Sequence, residues 1–246
     1  MQTKLRPIAV NIVPDVVPPA LEEGFALKIV RIWFKKQGSA RYISHLDLNR
    51  CMSRAIHRSK IPLWYTQGFH QHAFITFALP LSLGMSGERE SMDIKLEGEI
   101  SKEDLIARLN SVLPPDIPVF DVTEPVMKPG KIAFADYRIA IFSDCFSACE
   151  IKKQIIEILQ SPALMATKKT KSGAITELDL KPFLSNLQIE MPAENRLIMT
   201  LTLPAGSVQN INPGLLTELL CSRMETELYF EITRTNLYDN RHQIFL

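Results

Sequence analysis

A strand–helix–strand–strand–helix–strand pattern occurs twice along this chain, and this repeat constrains the fold more than any other feature of the sequence. Short alternating runs rich in β-branched residues, such as Leu27–Phe34, indicate the strands, and apolar residues spaced three and four apart indicate the helices. The order β-α-β-β-α-β is that of the ferredoxin-like, or split βαβ, motif. We therefore predict an α+β protein made of two tandem ferredoxin-like (βαββαβ) units, with two sheets and a groove between them.

Prolines and glycines mark the predicted boundaries of these units. Residues 1–26 contain four prolines and are predicted to form an N-terminal tail. The first unit then spans 27–123, a linker spans 124–136, and the second unit spans 137–246. The chain has no run of 18 apolar residues, so we expect no membrane span and no membrane partner. Four scattered cysteines favour reduced thiols and a cytoplasmic location.

The helix predicted to begin after Ser44 has two contrasting faces. The Ser44 hydroxyl can cap the helix, and Asp47 stands at the third helical position, as in a capping box. One face carries an apolar stripe, which predicts burial. On the other face Arg50, Arg54 and Arg58 recur every four residues, so three guanidinium groups lie in one row.

The basic residues of the chain are concentrated around this helix. The whole chain is nearly neutral, with 28 Lys and Arg against 27 Asp and Glu. Between residues 28 and 60, nine basic residues accompany one acid, a local charge of +8, and the remainder of the chain carries −7. Such a local excess permits binding of a polyanion that the net charge would not predict.

Aromatic residues accompany these charges, and the combination is typical of proteins that bind single-stranded or looped RNA. Arginines bind phosphates with two hydrogen bonds, and aromatic rings stack on bases. The residues expected to form this surface are Lys35, Lys36, Arg41, Ser44, Arg50, Arg54, Arg58, Tyr65, Gln67, Phe69 and His72, with Lys168, Lys169 and Lys171 as an opposing wall. The alternatives for the arginine row are a solvated helix face, or ion pairs with carboxylates of the second unit.

Three histidines in this region are candidates for metal binding or catalysis. His70 and His72 would project to one side of an extended segment, and His45 could supply a third zinc ligand. Asp47 could orient such a ligand, or could serve with His45 or His70 in general acid–base catalysis, although no nucleophile is marked. In the simpler alternative, His45 caps or packs at the helix start and the other two shape a loop. We expect one cleft to be surrounded by His45, Asp47, Tyr65, Gln67, His70 and His72.

The same region contains three short motifs: RYISHLD at 41–47, YTQGFHQH at 65–72 and PLSLG at 80–84. A fourth, TELDL at 176–180, follows a basic segment. Together these motifs resemble the bacterial radical-SAM-associated domain of unknown function, over about residues 27–238 of this chain. Gln71, Ala73 and Ser82 depart from the family pattern, which usually has prolines at these positions.

The resemblance implies a companion of a radical-SAM enzyme and no settled activity. The chain itself lacks the cysteines of a radical-SAM cluster, because Cys145 and Cys149 have the first spacing of C-x3-C-x2-C but Lys152 occupies the third position. We expect these two cysteines to be buried thiols. An iron–sulfur cluster and S-adenosylmethionine are therefore expected only in the partner.

Our leading hypothesis is a non-catalytic module that binds RNA, or another anionic macromolecule, and presents it to a radical-SAM enzyme. One alternative is an RNA-modifying or metal-assisted enzyme that uses the His/Asp cluster. Another is a protein–protein adaptor that orients the radical-SAM enzyme.

Overall fold

A computed structural model of the protein describes residues 27–67, 69, 71–169, 175–194, 196–224, 226 and 228–246. The predicted tail 1–26, His70 and Lys171 lie outside the described residues, as do the side chains of Lys168 and Lys169. No helix among the described residues is long and apolar enough to cross a membrane.

The protein is a mixed α+β structure with a large mixed sheet and, in the part of the chain described, four α-helices. The helices are α1 (His45–Arg58), α2 (Lys102–Asn110), α3 (Ala148–Leu159) and α4 (Gly214–Met224). The strands are β1 (Leu27–Lys36), β2 (Ile75–Phe77), β3 (Ser86–Glu97), β4 (Val119–Thr123), β5 (Ile132–Phe142), β6 (Met165–Lys169), β7 (Ile175–Asp179), β8 (Gln188–Ala193), β9 (Arg196–Pro204) and β10 (Tyr229–Asp239).

Both halves of the chain contribute strands to one eight-stranded sheet. Its strand order is β4-β1-β3-β10-β5-β9-β8, and β2 also pairs with β3. The halves meet where β10 runs parallel to β3, with Thr233 opposite Ser86 and Arg234 opposite Gly87. The expectation of two separate sheets with a groove between them is therefore wrong. The halves share one sheet because β3 begins at Ser86, well before the residues that pair with β2. The first residues of β3 are therefore free to pair with β10.

Other differences from the predicted elements are local. Strand β5 begins at Ile132, inside the predicted linker 124–136. Strand β1 continues beyond the predicted Leu27–Phe34 to Lys36. The basic segment after Leu164 forms β6, which pairs with β7 as a separate two-stranded sheet that the sequence pattern did not predict.

Helix α1 forms as its sequence predicts. The Ser44 hydroxyl accepts a hydrogen bond from the backbone N–H of Asp47, which satisfies one of the free donors at the helix start. The buried side of the helix carries Leu48, Met52, Ala55 and Ile56. This apolar stripe packs with alternate residues of β1 and β3 and with α2 into the core of the first half.

The second half has its own core, which also includes side chains from the first half. Apolar residues of β5, β9, α3 and α4 form this cluster, and Trp33 of β1 belongs to it. The Trp33 ring packs edge-on against Phe245, with ring centroids 6.3 Å apart. Beside it, the buried Arg31 donates a hydrogen bond of 2.7 Å to the main-chain oxygen of Leu246. Phe245 and Leu246 therefore hold the C-terminal residues against β1.

Candidate nucleic-acid interface

The exposed side of α1 carries the predicted arginine row. Arg50, Arg54 and Arg58 are all exposed and line a shallow groove of about 630 Å³ together with Asp47 and His57. Arg50 Nη1 lies 3.2 Å from Asp47 Oδ1, and Arg58 Nη2 donates to the carbonyl oxygen of Val112 at 2.9 Å. Both contacts are exposed, so solvent or a phosphate can replace them at little cost.

Several other basic residues of the +8 segment are committed to structure. Lys28 pairs with Glu124 on the surface, and Arg31 forms a buried pair with Asp93 at 2.7 Å. The excess of positive charge is therefore smaller in three dimensions than along the sequence. It is concentrated on the exposed residues Lys35, Arg50, Arg54, Arg58 and Lys60.

Lys36 has to be removed from the predicted RNA-binding surface because its side chain is buried. Its ammonium group donates to the main-chain oxygens of Arg41 and Ile43, at 3.4 and 3.1 Å. Burial lowers the pKa of Lys36, and the neighbouring Glu90 opposes this change. Lys36 thus holds the 3₁₀ turn at Gly38–Tyr42 in the position from which α1 starts.

Arg41 joins the two halves and is only partly exposed. Its Nη1 lies 2.8 Å from the Glu231 carboxylate on β10, and this hydrogen bond raises the pKa of Arg41. Its guanidinium group also lies over the Tyr42 ring, 4.9 Å from the centroid. One alternative for the arginine row was ion pairing with the second half. Such a pair is formed instead by Arg41, in the first motif.

His45 packs at the start of α1, in agreement with the simpler alternative for this residue. Its ring meets the Phe77 ring edge-on, with centroids 5.0 Å apart. Its Nδ1 atom is buried and has no hydrogen-bond partner among the described residues. Burial, then the positive charges of Lys36 and Arg234, lower the pKa of His45 and keep the imidazole neutral near pH 7.

Asp47 contacts the start of α1 and the arginine row, and it does not bond to His45. Its carboxylate accepts a hydrogen bond of 2.7 Å from the Ser44 hydroxyl and contacts Arg50. These contacts, with that to Ser44 the largest, lower the pKa of Asp47. The carboxylate therefore does not orient Nδ1 of His45 for acid–base work.

The second motif forms a loop whose described residues are 65–67, 69 and 71–73, which we call the Phe69 loop. Its two ends meet where Tyr65 pairs with Ala73. Just inside, the Thr66 hydroxyl lies 3.2 Å from His72 Nδ1 and accepts a hydrogen bond from the His72 N–H at 3.1 Å. Beyond the contacts between Thr66 and His72, the Phe69 side chain is fully exposed. Gln67 is exposed as well, so the loop presents an unburied aromatic ring to solvent.

The described residues contain no group of three or more His, Cys, Asp or Glu side chains that could hold a metal ion. His45 and His72 have different neighbours, Phe77 and Thr66. Because His70 lies outside the described residues, a site or cleft that includes it stays a prediction.

Cys145 and Cys149 are exposed, so the expectation of buried thiols is wrong. The buried side of α3 is formed by Ala148, Ile151 and Ile155, and the position of Cys149 on the helix turns its side chain away from them.

A buried ion pair at the junction of the two halves was not predicted from the sequence. Arg234 of β10 donates from Nε to Glu90 Oε1 at 3.0 Å and from Nη2 to Glu90 Oε2 at 2.5 Å. It also donates to the carbonyl oxygens of Leu79 and Pro80, at 2.8 and 3.2 Å. Burial opposes the charge of Arg234, but Glu90 outweighs burial and raises the pKa of Arg234. Neither residue stands out in the sequence, because β3 and β10 also carry other charged residues, such as Asp93 and Glu231.

The third motif, PLSLG at 80–84, is thus the segment that the buried arginine holds in place. Tyr137 of β5 lies opposite Arg234 in the sheet, and burial raises the pKa of its hydroxyl. Together with Lys36 and His45, these residues form a buried polar cluster where the two halves join.

Comparison with known proteins identifies the family. The model of a family described as uncharacterized protein conserved in bacteria (DUF2344) matches residues 30–213, about three quarters of the chain. The chain belongs to this family. All four motifs of this DUF2344 protein lie within the matched range, whereas β10, which supplies Glu231 and Arg234, lies beyond it.

The other comparisons add little to this assignment. No curated protein matches the chain. Among solved structures, an unknown protein from Galdieria sulphuraria is similar over 85% of this chain and 99% of its own, with 10% sequence identity and a TM-score of 0.25. A likeness at that TM-score carries no weight for fold or function. The family description does not mention radical-SAM enzymes, so that association stays a prediction.

Proposed function

We propose that this DUF2344 protein is a non-catalytic module that binds RNA through the exposed face of α1 and the Phe69 loop. The observation that carries the proposal is the row of Arg50, Arg54 and Arg58, which remains exposed while other basic residues of the segment are buried or paired. Arginines spaced along a helix offer several phosphate contacts at once, and each releases a counterion on binding.

The Phe69 loop favours unpaired RNA over a regular duplex as the ligand. A fully exposed phenylalanine has no role in packing the core, and exposing it to water is unfavourable. Aromatic side chains of this kind stack on bases that are free of Watson–Crick pairing. Tyr65, at the base of the loop, is also exposed and offers a second ring.

A radical-SAM enzyme as the partner that acts on this RNA is proposed on the resemblance of the four motifs alone. In that arrangement the iron–sulfur cluster and S-adenosylmethionine belong to the partner. The present chain would bind the RNA and orient it for the partner.

We also propose that each half of the protein is a ferredoxin-like unit, although the two share one sheet. In the first half the strands pair in the order β4-β1-β3-β2, and in the second in the order β10-β5-β9-β8. In each half a third strand separates the two strands that flank the first helix, as in a split βαβ motif. The β6–β7 hairpin is then an insertion in the second unit.

The RNA proposal is tested by the salt dependence of binding. Fluorescence anisotropy of a labelled single-stranded RNA is measured over a range of KCl concentrations for the wild type and for Arg50→Gln/Arg54→Gln/Arg58→Gln. The slope of log K against log salt should fall by about 0.7 for each phosphate that the variant no longer neutralises. The control is Lys152→Gln/Lys153→Gln/Arg223→Gln, which removes equal charge from α3 and α4 of the second half. An equal change in slope for both variants, or none in either, contradicts an interface on α1.

A further inference from the structure

A cavity of about 240 Å³ lies at the junction of the two halves, and none of its lining residues belongs to the arginine row or to the Phe69 loop. Its walls come from the segment Leu79–Met85, from β5, from the residues before α4 and from β10. The mouth is formed by exposed residues, among them Ser82, Asn210 and Asn212. The floor is formed by the buried residues Tyr137 and Arg234.

The charge in the floor is already neutralised, which excludes an anion as the preferred ligand. Arg234 forms a buried pair with Glu90 and donates two further hydrogen bonds to main-chain oxygens. The first N–H groups of α4 are also occupied, because Gly214 N donates to Asn212 Oδ1 at 2.8 Å and Leu215 N donates to the Asn212 main-chain oxygen at 3.0 Å. The polar groups that remain to a ligand are uncharged: the O–H of Tyr137, whose oxygen is already hydrogen-bonded to Arg234, the Ser82 hydroxyl, the Asn210 carboxamide and the Asn212 NH₂ group.

The remaining lining residues are apolar, although polar atoms provide the larger part of the exposed surface of the cavity. Leu81, Met85 and Pro213 are buried and contribute side-chain surface without hydrogen-bonding groups. The volume is below the range of about 300–1,000 Å³ typical of pockets for drug-sized ligands. A flat heterocycle of one or two rings fits such a space, with its faces against apolar side chains and its edge towards hydroxyl and carboxamide groups.

We propose that this cavity binds one unpaired nucleobase, taken from the RNA that the arginine row of α1 holds. This inference rests on the proposed function, because it assigns the base to that RNA. Carboxamides and hydroxyls read the edges of bases, and proteins that take up an extruded base use such a combination of edge hydrogen bonds and apolar walls. The arginine row supplies affinity for the backbone, and the cavity supplies contact with a base.

The test compares RNA that carries a base with RNA that lacks one. A labelled eight-nucleotide single-stranded RNA is prepared with all bases present and, in a matched series, with one abasic nucleotide moved along the chain. At one or more positions, removal of the base should weaken binding by about 5-fold or more, the effect expected for a base held by stacking and edge hydrogen bonds. The arginine variant should bind all these RNAs more weakly by the same factor, because it acts on phosphates.

Two variants locate the bound base in the cavity. Tyr137→Phe removes the hydroxyl and keeps the ring, and should weaken binding of the intact RNA by about 2- to 10-fold, the range for one hydrogen bond. Asn210→Ala, at the exposed mouth, is a second variant that does not depend on a buried change. Tyr229→Phe, an exposed tyrosine at the start of β10, is the matched control and should leave binding unchanged. Neither cavity variant should further weaken binding of RNA that lacks the sensitive base.

Free nucleosides provide an independent readout. Adenosine, guanosine, cytidine and uridine are titrated separately, and backbone NMR signals around Tyr137 and Asn210 are followed. Shifts there that disappear in Tyr137→Phe support the cavity as a base site. If RNA binds and every abasic RNA binds equally, with no nucleoside shifts, the cavity proposal is overturned while the proposed function stands. If nucleosides bind but RNA does not, the proposed function fails and RNA is excluded as the source of the base.

Discussion

Arginine has different roles in two regions of this protein, the outer face of α1 and the junction between β3 and β10. On α1, Arg50, Arg54 and Arg58 are exposed, and the contacts of Arg50 with Asp47 and of Arg58 with Val112 are single and exposed. At the junction, Arg234 is buried and bonded to the carboxylate of Glu90 and to two main-chain oxygens. The arginines of α1 can exchange these contacts for those of a ligand, whereas Arg234 can be separated from its partners only by opening the protein.

A count of basic residues along a sequence therefore overstates the surface available to an anion. The segment 28–60 carries a charge of +8, but Arg31, Lys36 and Arg41 are buried or paired within the fold. Substitutions in the two regions should therefore change different quantities: stability at the junction and RNA binding on α1.

The largest effect is expected at the junction. Arg234→Ala leaves Glu90 buried without its partner and should lower the free energy of unfolding by about 3–5 kcal/mol, measured by urea denaturation. The double variant Arg234→Met/Glu90→Leu removes both charges together. It should recover most of this stability, because well-packed apolar residues can replace a buried ion pair. Equal destabilisation in the single and double variants would show that the main-chain hydrogen bonds of Arg234, not its charge, hold the junction.

A smaller effect, on binding and not on stability, is expected at the Phe69 loop. Phe69→Ala should weaken RNA binding by about 1–3 kcal/mol, the range for one stacked base. The free energy of unfolding of this variant should differ from that of the wild type by less than about 0.5 kcal/mol, because the Phe69 ring is fully exposed. Phe120→Ala is the control, since Phe120 is a partly exposed ring on β4, outside the proposed interface. Equally weakened RNA binding in both variants would count against a specific role for the loop.

A still smaller effect, a loss of stability, is expected for the exposed ion pair that Arg41 and Glu231 form between the halves. Arg41→Gln removes the pair with Glu231, in which both side chains are partly exposed, and should destabilise the protein by about 0.2–1 kcal/mol. Glu231→Gln should cost a similar amount, and the double variant should cost little more than either. Additive destabilisation in the double variant would show that the two residues act separately.

The sequence was sufficient to predict elements that depend on near neighbours. Helix α1 followed from a cap at Ser44, an apolar stripe and an arginine row, all readable within one short segment of the chain. The junction was not readable in this way. Glu90 and Arg234 are far apart in the chain, and a charged residue in an alternating strand is usually assigned to solvent.

Lys36 shows a second limit of sequence reasoning. Two adjacent lysines shortly before a glycine are typical of a surface turn, but β1 continues to Lys36, and the alternation that buries Ile32 and Phe34 buries Lys36 on the same face. There the main-chain oxygens of Arg41 and Ile43 receive its ammonium group. Neither the continuation of β1 past Phe34 nor the 3₁₀ turn that follows has a signature strong enough to have been predicted from these residues.

The smallest effect concerns His45, which lies beside the junction and begins the helix that carries the arginine row. Burial and the charges of Lys36 and Arg234 lower the pKa of His45, so the folded protein binds a proton there less readily than the unfolded chain does. Stability is then unaffected by His45 above the unfolded-state pKa of about 6.5 and declines as the pH falls below it. In an NMR titration, the His45 signal, assigned by its absence in His45→Gln, should have its midpoint below about pH 6.5. Between about pH 7 and 5, the free energy of unfolding should fall less in His45→Gln than in the wild type. A midpoint at or above that of a free histidine would mean that the imidazole is not held against the buried cations, and that the junction does not extend to the start of α1.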